Sequence, residues 1–376
     1  MSINDILLIA DPILDRFCIN ILPRIGLNIK SLILESESME RILLAADYPN
    51  LAELKLLNFN NKIASHYFTV KSPVHRIFQK QITDLILDDL PNLKCFSLKY
   101  SCLTEQYDSK ILPLLRHTSN LEEFTLNATI QKPIRFVDRT QINNQILVHM
   151  PRLYKFIFYI STEIKLHHLV PCLSSDDIQQ TFTNIRYQQV ACLLNHCYDT
   201  ATCHVFSLPF VFDHIRYIGN TFPSIVFSHV TNLGVHDVVP FEHEFFLRIA
   251  CFFPMLEKLD VINFKSQSQI SDNMNSNDNQ LCSIVEYPYL ILVRLGRSHI
   301  DYYEQFLNDT KTHLPRLTAL TVNYDQLTIV TENFTRDATR LNCANVKELI
   351  IQRTLVHSKD FYVYFPVVTS FLFELV

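Results

Sequence analysis

Glycine and tryptophan are the residues that this 376-residue chain lacks most clearly. Glycine occurs only four times and tryptophan does not occur at all. No two glycines lie close together, whereas a phosphate-binding loop needs several glycines within a few residues so that backbone N–H groups can approach the anion. The sequence therefore excludes nucleotide-binding P-loops and dinucleotide-binding fingerprints. The missing tryptophan excludes an aromatic cage built on indole.

An excess of basic residues is also missing. Lys and Arg total 33 against 38 Asp and Glu, which gives a formal net charge of -5 at pH 7. No run of Lys or Arg offsets this balance. Binding to nucleic acid depends largely on attraction between basic side chains and phosphate. We therefore expect no nucleic-acid partner.

The sequence shows neither a secretory signal nor a membrane span. Residues 1–10 are apolar but have no basic region and no small-residue cleavage site. The most apolar long window, residues 361–376, contains Thr369, Ser370 and Glu374 and is shorter than a bilayer span. We expect no membrane association and a cytoplasmic protein, with the nucleus as the alternative. The ten cysteines are then expected to be free thiols.

No group of residues has the pattern of a catalytic or metal site. Five Cys and His residues cluster in the middle of the chain, and a tetrahedral zinc site is one interpretation of them. Their spacing is not that of paired C-x-x-C motifs, so we favour buried structural side chains. Adjacent carboxylates such as Asp88 and Asp89 do not face each other on a helix or strand, so they make poor acid–base pairs. We expect no enzyme activity, no cofactor and no metal. The clustered residues are Cys192, His196, Cys197, Cys203 and His204.

A short repeated phrase dominates the sequence instead. Residues 48–56 consist of an apolar residue, a proline, a spacer and then Leu-x-x-Leu-x-Leu. This is the pattern of a leucine-rich repeat. The same phrase, with its proline two places before the first apolar position, returns at residues 90–98, 150–158, 253–261, 287–295, 314–322 and 365–373.

Four weaker copies complete an irregular array, which predicts an α/β leucine-rich-repeat solenoid over residues 1–376. Each repeat buries its apolar face only by stacking on its neighbours. We expect a curved parallel sheet on the concave face and helices on the convex face. The first apolar residues of the eleven phrases are Ile29, Leu51, Leu93, Leu121, Leu153, Val230, Leu256, Leu290, Leu317, Val346 and Val368.

Several segments outside the phrases are assigned from periodicity and composition. Helical periodicity predicts helices over residues 242–253 and 301–313. Residues 161–223 lack a clear phrase and are expected to be irregular, with a helix over 188–197 and a strand over 203–212. Residues 265–280 are almost entirely polar, which predicts a mobile surface insertion.

The third, fifth and seventh places of each phrase are predicted to point to the concave side. These places mix charged, apolar and aromatic residues, a composition that suits protein recognition. For any single residue, a solvated strand position is the competing interpretation. The residues that we predict to bind a partner are Glu53, Lys55, Lys99, Lys155, Tyr159, His236, Lys258, Asp260 and Arg294.

Several stretches resemble F-box/leucine-rich-repeat proteins across nearly the whole chain. They are ILDRFC (13–18), ILPRI (21–25), VEYP (285–288), YEQFL (303–307) with LPRL (314–317), and NFTRD (333–337). The resemblance implies that an F-box docks on the Skp1 adaptor of a cullin ubiquitin ligase and that the repeats recruit the target. No Leu-Pro opens an F-box near Asp5, so we expect the F-box to be missing.

Two functions therefore follow as expectations. The first is a protein-recognition module that forms the substrate-binding part of an F-box-type ubiquitin ligase receptor. The second is a stand-alone scaffold or inhibitor solenoid with no ligase association.

Overall fold

The computed structural model describes residues 11–59, 93–103, 112, 115, 119–131, 136–166, 175–182, 189–268, 283–351 and 359–373. Over these ranges the chain is a mixed α/β protein with parallel sheets. It divides into two compact units. The first comprises Met1–Cys192 and Cys203–Leu208, and the second comprises Leu193–Thr202 and Pro209–Val376. The sequence predicts a single array over residues 1–376, whereas the strands form two separate seven-stranded sheets.

The first sheet contains β1 (Ser31–Glu35), β2 (Glu53–Phe59), β3 (Cys95–Leu103), β4 (Glu123–Gln131), β5 (Lys155–Lys165), β6 (Val190–Cys197) and β7 (Thr200–Ser207). From β1 to β5 the strands are parallel and follow chain order. Strand β7 then lies next to β5, and β6 forms the edge. Tyr198 and Asp199 join β6 to β7 as a hairpin. The φ of 53° at Tyr198 suits such a tight turn.

The second unit contains β8 (His214–Ile218), β9 (Asn232–His236), β10 (Lys258–Asn263), β11 (Val285–Glu286), β12 (Leu292–Ser298), β13 (Thr312–His313), β14 (Ala319–Val322), β15 (Glu348–Ile351) and β16 (Ser370–Phe373). Its seven-stranded sheet has the order β16-β15-β14-β12-β10-β9-β8. Each pair of adjacent strands in this sheet is parallel. Strands β11 and β13 pair separately.

Short helices connect these strands. They are α1 (Asp11–Arg16), α2 (Leu22–Ile25), α3 (Ser36–Leu43), α4 (Arg139–Gln145), α5 (Ser175–Thr181), α6 (His243–Phe252), α7 (Ile300–Leu307), α8 (Tyr324–Val330), α9 (Arg340–Cys343) and α10 (Lys359–Tyr364). The helices predicted over 242–253 and 301–313 are confirmed as α6 and α7. Helix α7 ends earlier than predicted because the Asn308 side chain turns the chain, accepting a hydrogen bond from the Thr310 backbone N–H at 3.0 Å.

Each of the eleven phrases contains the first residue of a strand, so the strand predictions are confirmed. In each case the strand starts two residues after the first apolar residue, as Glu53 follows Leu51 and Lys258 follows Leu256. In the phrases that carry a proline, wherever the structure describes it, the proline lies in a turn that leads into the strand. At Pro49 this turn is closed by a hydrogen bond from Leu51 N–H to the Tyr48 carbonyl at 3.1 Å. Proline suits the second place of such a turn because its φ is fixed.

A repeated pair of hydrogen bonds ties each of these strands to its predecessor. The Lys30 carbonyl accepts from the N–H groups of Ala52 and Glu53 at 2.8 and 3.0 Å. In the second sheet, the Thr231 carbonyl accepts from Glu257 and Lys258, both at 2.8 Å. One carbonyl therefore holds the start of the next strand, and this contact sets the register of the sheet.

The buried face of the first sheet is built on stacked phenylalanines. Phe96, Phe124 and Phe156 occupy equivalent places on β3, β4 and β5. Their ring centroids are 5.7 and 5.5 Å apart, with nearly parallel planes. In the second sheet the equivalent places are held by fully buried Leu233, Leu259 and Val293.

The helix predicted over 188–197 is wrong, because residues 190–197 form strand β6. Cys192 and His196 fit helical spacing, but pairing with β7 across the Tyr198–Asp199 turn prevails over that local pattern. The strand predicted over 203–212 is found as β7, which starts earlier and ends at Ser207. Residues 161–223 are therefore not irregular throughout, since they also include α5 and β8. Of the predicted insertion 265–280, residues 269–280 lie outside the described residues.

We predict that Phe124→Ala lowers the free energy of unfolding by about 3–5 kcal/mol, because it removes a buried ring that stacks on both sides. Urea unfolding of both proteins measures the difference. Val148→Ala is the control from the same unit, since Val148 is exposed. Equal losses in the two variants would contradict the stacked core.

Candidate functional site

Alternating side chains divide each sheet into a covered face and an open face. In β10, Leu259 and Val261 are buried, while Lys258 and Asp260 are partly exposed. Strand β12 has the same alternation around Arg294. Because successive side chains of a strand point to opposite faces, the partly exposed places of these strands lie on the same face of the sheet. We call this surface the open face.

The predicted binding residues fall into two groups, one in each unit. Glu53 and Lys155 hold equivalent places on β2 and β5 of the first sheet, and Asp260 is aligned with Arg294 in the second. The side chain of Lys55 lies outside the described residues. The first unit holds Glu53, Lys55, Lys99, Lys155 and Tyr159, and the second holds His236, Lys258, Asp260 and Arg294.

Charges on the first sheet are largely paired with one another. Lys155 Nζ lies 2.7 Å from Glu123 Oε2 on the neighbouring strand, and the Tyr154 hydroxyl donates to Glu123 Oε1 at 2.8 Å. These two hydrogen bonds lower the pKa of Glu123. Glu53 accepts a hydrogen bond from the Ser31 hydroxyl at 2.9 Å. A partner would have to break these contacts before it could use the charges.

The prediction for Tyr159 is wrong, because this residue is only 2% exposed. Strand β5 is buried on both faces over residues 158–162. The Tyr159 ring stacks on His204 of β7, and its hydroxyl lies 3.1 Å from His204 Nδ1. The aligned place on β4 is held by Asn127, which is also buried, and that on β3 by Lys99, which is half-buried.

Basic side chains on the second sheet differ from those on the first because several are unpaired. Within the described part of the chain, Lys258 and Arg294 form no ion pair. The strand residues next to Lys258 are Asn232 and Leu292, neither of which carries a charge. Arg297 lies 3.4 Å from Asp260. Asp260 is also the register partner of Arg294. On β10 and β12, three basic side chains of the open face, Lys258, Arg294 and Arg297, therefore stand against one acidic side chain, Asp260.

Arg216 and Arg297 belong to this face but are missing from the sequence prediction. Arg216 is exposed on β8, and its Cα would lie 3.5 Å from a Cβ added at Gly234. The sequence does contain a pattern that could have predicted Arg216. Phe212 and Ile215 have the spacing of the first two apolar residues of a phrase, which makes Arg216 the fifth residue of a degenerate copy. Arg297 lies after a register shift between β10 and β12, which a fixed phrase does not predict.

His236 lies at one end of this face in a largely neutral environment. Its Nε2 is 3.1 Å from Cys197 Sγ, and its ring is 6.4 and 6.0 Å from those of Tyr198 and Tyr217. Burial, and next the nearby Arg297 guanidinium, lower the pKa of His236. Both tyrosines have positive φ, 53° and 63°, which is uncommon for bulky residues. The Asn195 side-chain amide holds this arrangement by donating to the Tyr217 and His236 carbonyls at 2.8 and 2.6 Å.

The contact between Cys197 and His236 does not have the electrostatics of a nucleophilic pair. Burial raises the pKa of Cys197 to about 11, so the thiol stays protonated at neutral pH. A reactive cysteine needs the opposite, a thiolate stabilised by a positive neighbour. The pair is therefore neutral and acts as a structural contact beside the open face.

The Cys and His residues that cluster in the sequence are separated in the structure. Cys192 and Cys203 lie 3.5 Å apart as free thiols, whereas Cys197 contacts His236. Across the described ranges, no three His, Cys, Asp or Glu residues are placed to hold a metal ion. None of the helices in those ranges is long and apolar enough to cross a bilayer.

A scan against protein-family models and a search of the curated proteins each found no match to this chain. The open face of the second sheet offers charged and aromatic side chains, among them Arg294 and Tyr198.

We predict that the chain loses stability as the pH falls below about 6.5 and that His236→Gln reduces this loss. The pKa of His236 is lower in the folded state than in the unfolded state, so the unfolded chain takes up the proton first. The loss of stability is absent above the unfolded pKa, grows as the pH falls from the unfolded to the folded pKa, and is constant below the folded pKa.

Urea unfolding of both proteins at a series of pH values measures this effect. His313→Gln, at an exposed histidine of the same unit, is the control. An identical pH dependence in wild type and His236→Gln would contradict the prediction.

Proposed function

We propose that this chain is a protein-recognition module built as an irregular leucine-rich-repeat solenoid. The strand-by-strand match to the eleven phrases supports the repeat architecture, as does the chain order of the parallel strands. In such an array each repeat contacts mainly its neighbours, and the sheet presents an extended surface. The open face of the second sheet is the binding surface in this proposal.

The single observation that carries the proposal is the group of unpaired basic side chains on that face. Lys258 and Arg294 lie on the neighbouring strands β10 and β12, and Arg216 lies on β8 of the same sheet. None of the three forms an ion pair with another described residue. Arginine and tyrosine are common anchors at protein interfaces. The exposed ring of Tyr198 lies beside His236 at the same face.

Assignment to a ubiquitin ligase is a further part of the proposal. It rests on the resemblance to F-box/leucine-rich-repeat proteins, in which the repeats recruit a target and the Skp1 adaptor joins the receptor to a cullin. A scaffold or inhibitor without ligase association is the alternative. Both functions require the same recognition surface, and only the adaptor distinguishes them.

We predict that reversing charge on the open face removes the chain's specific partners. Proximity labelling would compare the intact chain with a Lys258→Glu/Arg294→Glu variant in the same cells. Lys347→Glu is the matched control, because Lys347 is an exposed lysine in the turn before β15 and not on the open face. Charge reversal at Lys155 should have a smaller effect, since Glu123 already neutralises this lysine.

The expected result is a set of proteins that the wild type and Lys347→Glu label and the double variant does not. A set that survives the double variant would place recognition elsewhere. Skp1 among the labelled proteins supports the ligase receptor, and its absence alongside other specific partners favours the scaffold.

A further inference from the structure

We infer that the open face of the second sheet binds an extended acidic segment of a partner protein, with Arg216, Lys258 and Arg294 as the groups that contact its carboxylates. This inference rests on the proposed function and names the chemistry of the partner. It follows from three observations about the face, which concern its charge, its spacing and the place of a glycine.

Charge distinguishes the second sheet from the first. Lys155 of the first sheet has Glu123 beside it on the next strand. Lys258 holds the same place in its phrase, but its strand neighbours are Asn232 and Leu292. Basic side chains that form no ion pair with another described residue are available to carboxylates from outside. Such contacts are charge-assisted and therefore stronger than neutral hydrogen bonds.

The spacing of the basic residues matches an extended chain. Arg216 on β8 and Arg294 on β12 are separated by strands β9 and β10. Neighbouring strands lie about 4.8 Å apart, so three steps separate the two strands by about 14 Å. In an extended peptide, residues four apart are separated by about 13 Å, and their side chains point to the same side. Carboxylates at alternate places of a peptide that crosses the strands would therefore reach both arginines, and Lys258, two residues before Asp260 on β10, lies beside this path.

Gly234 lies in the middle of this path and is itself buried. It is aligned with Asp260 on β10 and lies beside Arg216 of β8. A Cβ at this position would meet the Arg216 Cα, Cβ and Cγ at 3.5–3.6 Å, which is ordinary contact. The stem of the Arg216 side chain therefore lies against the glycine, on the path between the strands.

Asp260 provides a test that depends on the sign of the partner's charge. It is the one carboxylate within the row formed by Arg216, Gly234, Asp260 and Arg294. The Arg297 guanidinium lies 3.4 Å from this carboxylate. An acidic segment is repelled by Asp260, whereas a basic segment would be attracted. Removing this charge must therefore strengthen the binding of an acidic partner.

The probe is a short fluorescein-labelled peptide with glutamate at every second position, and fluorescence anisotropy measures its dissociation constant. We predict that Arg294→Glu and Lys258→Glu each weaken binding about tenfold. Asp260→Asn should tighten it about threefold, and Lys347→Glu should leave it unchanged. Affinity should fall as salt rises, because the charges are partly exposed. Arg294→Gln, a milder change on the same strand, should weaken binding less than Arg294→Glu.

Three results would overturn the inference. One is binding of the glutamate peptide that neither Arg294→Glu nor Asp260→Asn alters, and another is equal binding of a peptide with lysine at the alternate positions. The third is tighter binding of a single-stranded oligonucleotide than of the glutamate peptide, which would make the face a nucleic-acid surface. If the peptide does not bind but the double variant still loses its labelled partners, the inference fails while the proposed recognition function stands.

Discussion

The two hydrogen bonds that link each strand's start to one carbonyl of the preceding strand are the contact on which the rest of this structure depends. They are made by residues such as Glu257 and Lys258 to the Thr231 carbonyl. A shift of one residue would turn every buried leucine outward and every charged residue inward. The burial of Leu259 and the exposure of Lys258 are therefore two consequences of one backbone register.

The same register decides which charges are free. Lys155 and Lys258 occupy the same place in their phrases, yet only Lys155 has an acidic residue beside it on the adjacent strand. The described charges of the first sheet are thus largely paired, whereas Lys258 and Arg294 of the second sheet form no ion pair with a described residue. Under the proposed function, these are the groups that a partner would meet.

Much of this arrangement can be predicted from sequence, because the phrase combines local and tertiary signals. A proline at the second place of a turn and apolar residues at fixed intervals specify where a strand begins and which side chains are buried, as at Leu51 and Leu54. Strand β6 could not be predicted in this way, since Cys192 and His196 fit a helix and only pairing with β7 makes them a strand. Tyr159 follows the pattern of an exposed place but is covered by His204, a residue distant in the chain. The pairing of Lys155 with Glu123 required the register between repeats, which spacing along one repeat does not contain.

Under the proposed function, the partner binds to the open face of the second sheet and not to that of the first. Quantitative acetylation of lysine amines in the presence and absence of a captured partner tests it most directly, because Lys155 and Lys258 hold equivalent places on the two sheets. We expect partner binding to slow the acetylation of Lys258 and to leave the acetylation of Lys155 unchanged. Protection of Lys155 with no protection of Lys258 would contradict it.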